Sequence, residues 1–152
     1  MQLLTGMYNS KIDDKGRLSL PARLRNVLSA EQVVVLPGLD GNHMMLMTPE
    51  FFDNEFCKPI LSTPMAMLDS KKRALIRKLI SPAQSVDIDS SGRINIPLQM
   101  REGYGLVNKS EVLFVGTGYA IEIWNPERYN AFMEENDESL SDLAQSLYEE
   151  EK

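Results

Sequence analysis

Apolar and polar residues alternate along much of this chain with the two-residue period of half-buried strands, and the alternation is broken by glycine turns and short helical stretches. Residues 7–12 read as a strand, and Asp14-Lys15-Gly16 as a tight turn in which glycine takes the left-handed conformation. Leu18 and Leu20 then face one way, Arg17 and Ser19 the other. Pro21 opens a short helix over 21–28, because its missing N–H costs nothing at the first helical position. Residues 33–36 and 44–47 read as strands around the turn Gly38-Leu39-Asp40-Gly41-Asn42, and Thr48-Pro49-Glu50 begins another helix by cap and proline. Over 63–80, Thr63 caps, Pro64 opens, and Met67, Leu68, Leu75, Ile76, Leu79 and Ile80 recur at helical spacing opposite Lys71, Lys72, Arg73, Arg77 and Lys78. One amphipathic linking helix is expected there. Strands follow at 85–88, 93–96, 112–115 and 120–124, with helices from Pro97 and Pro126 and a terminal helix over 139–149 bearing the thin stripe Leu140, Leu143 and Leu147.

This pattern is written twice. Ile12-Asp13-Asp14-Lys15-Gly16-Arg17-Leu18-Ser19-Leu20-Pro21 returns as Ile88-Asp89-Ser90-Ser91-Gly92-Arg93-Ile94-Asn95-Ile96-Pro97, and Arg25 has its counterpart in Arg101. Six of the fourteen positions from Ile12 to Arg25 are identical, where chance gives about one. Further on, Gly38 matches Gly116, and Thr48-Pro49-Glu50 matches Asn125-Pro126-Glu127. A repeat of about 77 residues is too long for a solenoid unit and suits paired structural halves. The expected division is a first half over 7–54, the linking helix over 63–80, a second half over 83–129, and an acidic helix and tail over 130–152.

Charge sharpens this outline. The net charge of −6 sits in the tail: residues 127–152 hold nine acids and two bases, which leaves 13 acids and 14 bases in residues 1–126. Within that neutral body, residues 10–25 carry Lys11, Lys15, Arg17, Arg23 and Arg25 against two acids. One cysteine, Cys57, excludes an internal disulfide, and with a single histidine no cluster of soft metal ligands is expected, so no metal and no cofactor is assigned. The first six residues lack a basic start, and no window reaches the roughly 18 apolar residues of a membrane span, so a cytosolic protein is expected.

The repeated turn carries the candidate chemistry. Asp13 and Arg17 flank Gly16 closely enough for a carboxylate–guanidinium pair, as Asp89 and Arg93 flank Gly92, and the aspartate can also accept backbone N–H groups in the loop. One reading is that both pairs only brace hairpins. The other is that the loops present cations to phosphate, with Lys15 at the tip and Arg17 held by Asp13; the basic run around the first copy favours it. The second copy has Ser90 and Ser91 where the first has Asp14 and Lys15, which leaves Arg93 as its cation.

At these residues the chain resembles the MraZ transcriptional regulators of bacteria, relatives of the AbrB, SpoVT and MazE swapped-hairpin DNA binders. The likeness spans nearly the whole chain, through D-x-K-G-R-L-x-L-P-x-R-x-R from Asp13, the Gly-Leu-Asp-Gly turn at Gly38, the second D-x-x-G-R at Asp89, and Glu122-Ile123-Trp124-Asn125 before a helix. It implies an α+β fold of two tandem AbrB-like (SpoVT-AbrB) β-rich halves packed as an intrachain pseudo-dimer. It also implies a cytoplasmic, nucleoid-associated regulator that binds double-stranded promoter repeats of the division and cell-wall gene cluster as a ring-shaped homo-oligomer, with no membrane partner and no small-molecule substrate. The family's DNA-contacting motif falls on Lys15 and Arg17, oriented by Asp13 and Gly16; Asp89, Gly92 and Arg93 repeat it without the lysine. Identical loops on a rigid ring would gain affinity through effective concentration.

Other residues read more plainly. The basic face of 63–80 is expected to be solvated, His43 to be structural or superficial, Trp124 and the aromatics after Pro49 and Pro126 to be core, and Cys57 to be a small buried or semi-exposed thiol with no histidine near it in sequence. Asp87 and Asp89 share a strand face, but without a partner base or cofactor loop a hydrolase has little support, and no enzyme activity is assigned. The stronger alternative is an antitoxin-like interaction module whose acidic C-terminal helix captures a basic partner.

Overall fold

The computed structural model describes residues 2–150. Its elements run β1 (Met7–Lys11), β2 (Arg17–Ser19), α1 (Ala22–Leu28), β3 (Gln32–Pro37), β4 (Met44–Met47), α2 (Pro49–Phe51) and, after a π-wound stretch at Phe52–Cys57, α3 (Lys58–Ile60). A 3₁₀ turn at Pro64–Leu68, α4 (Ser70–Leu75) and a second π-wound stretch at Ile76–Ile80 lead into β5 (Gln84–Asp87), β6 (Arg93–Asn95), α5 (Leu98–Arg101), β7 (Glu111–Gly116), β8 (Ile121–Trp124), α6 (Pro126–Glu135) and α7 (Leu140–Glu150). The fold is α+β, and none of the described helices is long and apolar enough to cross a membrane. Of the expected acidic tail, residues 151 and 152 lie outside the described part.

The two halves interlock. Six strands form one antiparallel sheet in the order β1-β7-β8-β4-β3-β5, so the first strand of each half pairs with the other half: β1 lies on β7 and β5 on β3. The turn strands do the same in a separate two-stranded ribbon, β2 against β6, with Arg17 opposite Asn95, Leu18 opposite Ile94 and Ser19 opposite Arg93. These pairings relate the halves by an approximate two-fold axis that passes between Leu18 and Ile94 and between Met45 and Glu122. The pairing also corrects one sequence match. Gln32 and Glu111 hold equivalent places in β3 and β7, so Gly116 corresponds to Pro37 and not to Gly38.

Burial explains the apolar runs. In β3 and β4, Val33, Val35, Met44 and Leu46 enter the main core with Leu18, Leu20, Leu24, Ile94, Ile96 and Phe114, while Val34, Leu36, Met45 and Met47 enter a second core with Leu79. A strand covered on both faces loses its polar alternation, so these two read as unbroken apolar runs. Phe51, Phe52 and Phe56 of the helical stretch after Thr48 close the second core, and Thr48 caps that stretch by accepting the Phe51 N–H at 3.2 Å.

The single helix expected over 63–80 is divided. Thr63 makes no side-chain cap, and the chain leaves the 3₁₀ turn at Asp69, whose carboxylate accepts the Lys71 and Lys72 N–H groups and starts α4 afresh. Asp69 supplies the stronger N-cap in mid-stripe, so one periodic pattern becomes two elements. Of the expected apolar face only Leu79 is buried; Met67, Leu68 and Leu75 are exposed. Pro21 and Pro97 likewise stand just before their helices, as N-cap residues.

The ribbon's two faces make separate demands. Replacing the buried Leu18 by alanine is expected to cost about 2–5 kcal/mol, read as a lowered urea midpoint at unchanged slope. Ser19→Ala on the exposed face should stay within about 0.5 kcal/mol; equal losses at the two positions would contradict this assignment of faces.

Candidate nucleic-acid interface

Each repeated turn is built from its aspartate outward. Asp13 Oδ1 accepts the Lys15 N–H at 3.0 Å and the Arg17 N–H at 2.8 Å, while Oδ2 takes Arg17 Nε at 2.7 Å. Asp89 repeats this with the Ser91 N–H at 2.9 Å, the Arg93 N–H at 2.9 Å and Arg93 Nε at 3.0 Å. The backbone N–H of Arg17, aided by the Arg17 side chain and the Lys15 N–H, holds the Asp13 carboxyl below its ordinary value of 3.8 against an upward push from burial. Asp89 is lowered in the same way, by the Arg93 N–H first. Both aspartates therefore keep their charge, and each fixes a long cationic side chain that is otherwise rotamer-rich.

The glycines explain why the halves must meet. Gly16 and Gly92 have φ of 83° and 79°, which glycine adopts without strain. Each also faces an arginine from the other half: a Cβ on Gly92 would collide with Arg25 Nη1, and one on Gly16 with Arg101 Nη2. Arg25 Nη1 donates to the Ser91 carbonyl at 3.3 Å. Arg101, only 3 % exposed, donates to the carbonyls of Ile96 (2.7 Å) and Leu106 (2.8 Å) and to Asn108 Oδ1 (3.2 Å), and Asn108 Nδ2 in turn donates to the Asp14 carbonyl at 3.2 Å. Arg25, first read as part of an outward basic run, thus stands behind the second turn as Arg101 stands behind the first. Identity of the two arginines in the repeat was the available signal. Asn108, outside any motif, gave none.

The ribbon brings Arg17 and Arg93 together. Side chains of Arg17, Ser19, Arg93 and Asn95 share its outer face, because Leu18 and Ile94 between them are fully buried. The two arginine side chains are 29 % and 31 % exposed, and both line a shallow hollow with Asp87, Asp89 and Asn95. Each ion pair uses Nε, which leaves the terminal guanidinium nitrogens for another acceptor. Lys15 is exposed at the first turn's tip. The remaining cations are not drawn into this group: Lys11 lies on β1 opposite Glu111 of β7, and Arg23 is exposed on α1 beside Gln2, Leu3 and Thr5. Asp87 and Asp89 do line the same hollow, but both are engaged: Asp87 Oδ1 accepts Gln32 Nε2 at 2.8 Å and Asp89 is clamped to Arg93.

Comparison with known proteins identifies the family. A family model described as "MraZ protein, putative antitoxin-like" matches residues 3–50 and 79–150. The chain belongs to the MraZ family. Among curated relatives, the transcriptional regulator MraZ of Treponema denticola is 30% identical over 146 residues, covering 96% of this chain and 98% of its own. That of Treponema pallidum is 35% identical, covering 91% and 95%, and that of Limosilactobacillus reuteri is 35% identical, covering 95% and 97%. Relatives of this MraZ-family chain are thus named as regulators of transcription and not as enzymes. The stretch left out of the family match, residues 51–78, contains most of the interrupted linking helix, whose last two residues fall within the match.

Two measurements follow from the turns. Arg101→Met removes three donors from buried or half-buried acceptors and is expected to cost about 3–5 kcal/mol in urea unfolding, whereas Arg23→Met should be near neutral. The lowered folded-state pKa values of Asp13 and Asp89 contribute stability that is full above the unfolded value and fades as pH falls through the folded values. Melting temperature should therefore drop more steeply below about pH 4 in the wild type than in an Asp13→Asn/Asp89→Asn double variant.

Proposed function

We propose that this chain is a sequence-specific DNA-binding regulator of transcription whose contact surface is the β2–β6 ribbon and its two turns. The observation that carries the reading is the pair Arg17 and Arg93 on one exposed ribbon face, each clamped through Nε by its own aspartate. A two-stranded ribbon fits the major groove, and a guanidinium with free terminal nitrogens can bond a phosphate or the O6/N7 edge of guanine in bidentate fashion. Lys15 at the first tip adds a phosphate contact that the second tip, with Ser91, lacks. Primary contact therefore belongs to Lys15 and Arg17, with Arg93 beside them; Lys11 and Arg23 are peripheral, and Arg25 acts through the second turn.

The finer form of this reading is a pair of tandem AbrB-like halves forming an intrachain pseudo-dimer, assembled into a ring on double-stranded promoter repeats of the division and cell-wall gene cluster, in the cytoplasm at the nucleoid. The exchanged strands support the pseudo-dimer. Exposed Leu61, Met65, Met67, Leu68 and Leu75 support contact between copies, since apolar groups clustered along one linker at the surface usually meet a partner. One ribbon holds few phosphates, and repeated ribbons on a ring would multiply weak contacts.

A second reading has one observation behind it. Helix α7 buries none of its side chains and exposes Leu140, Leu143 and Leu147 along one stripe among acids, as an antitoxin-like module that captures a basic partner would do.

Fluorescence polarisation with a labelled fragment of the gene's own upstream region, titrated with salt, separates them. Binding should weaken steeply with salt, and Arg17→Ala should lose at least about tenfold in affinity. Arg93→Ala should lose less at unchanged oligomer size by light scattering. Unchanged binding by Arg17→Ala would remove the ribbon as the contact surface; no DNA binding, with a protein retained through residues 133–150, would favour the second reading.

A further inference from the structure

Away from the ribbon, the turn between β3 and β4 meets β8 in an arrangement that neither core packing nor DNA contact uses. His43, 1 % exposed, stacks on Trp124 with ring centroids 4.3 Å apart and planes inclined by 15°. Its Nδ1 lies 3.0 Å from the Met44 carbonyl, a bond in which the ring nitrogen must be the donor. That bond leaves Nε2 as the lone-pair nitrogen of the neutral ring. Nε2 is fully buried and makes no hydrogen bond among the described residues. It points at two carboxylate oxygens, Asp40 Oδ2 at 3.5 Å and Glu122 Oε2 at 3.9 Å, both beyond hydrogen-bond length. Glu122 is held in place from behind, because its other oxygen, Oε1, accepts Trp124 Nε1–H at 2.9 Å.

A lone pair aimed at two anionic oxygens is unfavourable unless a cation stands between them. Two cations are eligible: a proton on Nε2 or a metal ion. We propose that Asp40, His43 and Glu122 form a binding site for a divalent transition ion of the zinc class, with one nitrogen and two carboxylate ligands. The spacing fits. Tetrahedral zinc with bonds of about 2.0–2.2 Å sets its ligand atoms about 3.4 Å apart, close to the 3.5 and 3.9 Å found, and the three ligand atoms all lie within 4.8 Å of one another. The outer shell also fits: a ligating imidazole ordinarily donates its other N–H to a carbonyl and a ligating carboxylate is itself hydrogen-bonded, as Met44 and Trp124 provide here. Asp40 is half exposed, which supplies an entry path and an open coordination position. The imidazole disfavours calcium and magnesium, which take oxygen ligands. Gly38 makes room for the ring, since a Cβ there would collide with His43 Cε1.

Among the described residues the site occurs once. By the strand pairing, Met45 occupies the place of Glu122 in the other half, so the duplication does not produce a second copy. It ties the first half's turn to the second half's β8, and through Trp124 to Tyr129 and Phe132 of α6, whose rings lie 5.2 Å away. Metal loading would stiffen the base of the C-terminal helices without touching the ribbon.

The chain carries its own reporters, one tryptophan stacked on one histidine. Zinc chloride titrated into full-length protein, treated with chelator and dialysed, should change Trp124 emission with saturation at one equivalent per chain, and should shift the His43 imidazole proton signals in the NMR spectrum. Calcium should do neither. Asp40→Asn and Glu122→Gln should each weaken zinc binding at least about tenfold, with circular dichroism unchanged for the exposed Asp40 variant, while Asp142→Asn in the acidic tail should leave it unaltered. Emission and His43 signals that stay put in excess zinc would overturn the proposal. Zinc binding that survives both carboxylate substitutions would do so too, as would a His43 signal that responds to pH and not to zinc, which would make the third cation a proton.

Discussion

Two guanidinium groups cross the molecule and hold the opposite half's turn from behind. Arg101 is buried and gives its donors to two carbonyls and to Asn108, which reaches the Asp14 carbonyl; Arg25 approaches Gly92 and the Ser91 carbonyl in the same sense. A buried guanidinium is costly unless it is hydrogen-bonded, and Arg101 is satisfied within its own half, by Ile96, Leu106 and Asn108, with Asn108 carrying the link across to the Asp14 carbonyl. The arrangement has room only because Gly16 and Gly92 lack a Cβ. Each turn, shaped from within by its own aspartate, is seated against an arginine of the other half, so the exchanged strands and the packing of the turns are satisfied together.

From that constraint the presentation of Arg17 and Arg93 follows. The turns are fixed from below by arginines of the opposite half, from within by Asp13 and Asp89, and along their strands by the Leu18–Ile94 pair in the core. Little conformational freedom is left to lose when the ribbon meets a ligand, so contacts made by these side chains translate more fully into affinity. The ribbon is short, three residues on each strand. In the proposed DNA contact, rigidity offsets the small area.

The hairpin chemistry was legible from the residues: the D-x-x-G-R spacing called for an aspartate–arginine clamp, and both clamps are present. Strand positions were legible too, since alternation and unbroken apolar runs report burial on one face or two. Arg25 was not. In sequence it is one of five nearby bases, and nothing local distinguishes a cation facing solvent from one aimed at a carbonyl 66 residues away. The linking helix was misread because helical periodicity does not register a competing cap, and Asp69 starts a second helix in the middle of the stripe. The Asp40–His43–Glu122 group was invisible for another reason: two ligands sit three residues apart in one turn and the third lies on a strand of the other half.

What the sequence alone determined is everything that rests on nearest neighbours and on repetition: the turns, their clamps, the approximate strand boundaries and the presence of two related halves. Tertiary structure decided which half each strand joins, which basic side chains face outward, and which polar groups converge. Those depend on contacts between residues about 50 to 110 positions apart, and pairing one strand with its own half or with the other satisfies the same local hydrogen bonds and the same apolar alternation. Only burying both cores at once, with Arg25 and Arg101 seated against the opposite glycines, selects between the two arrangements.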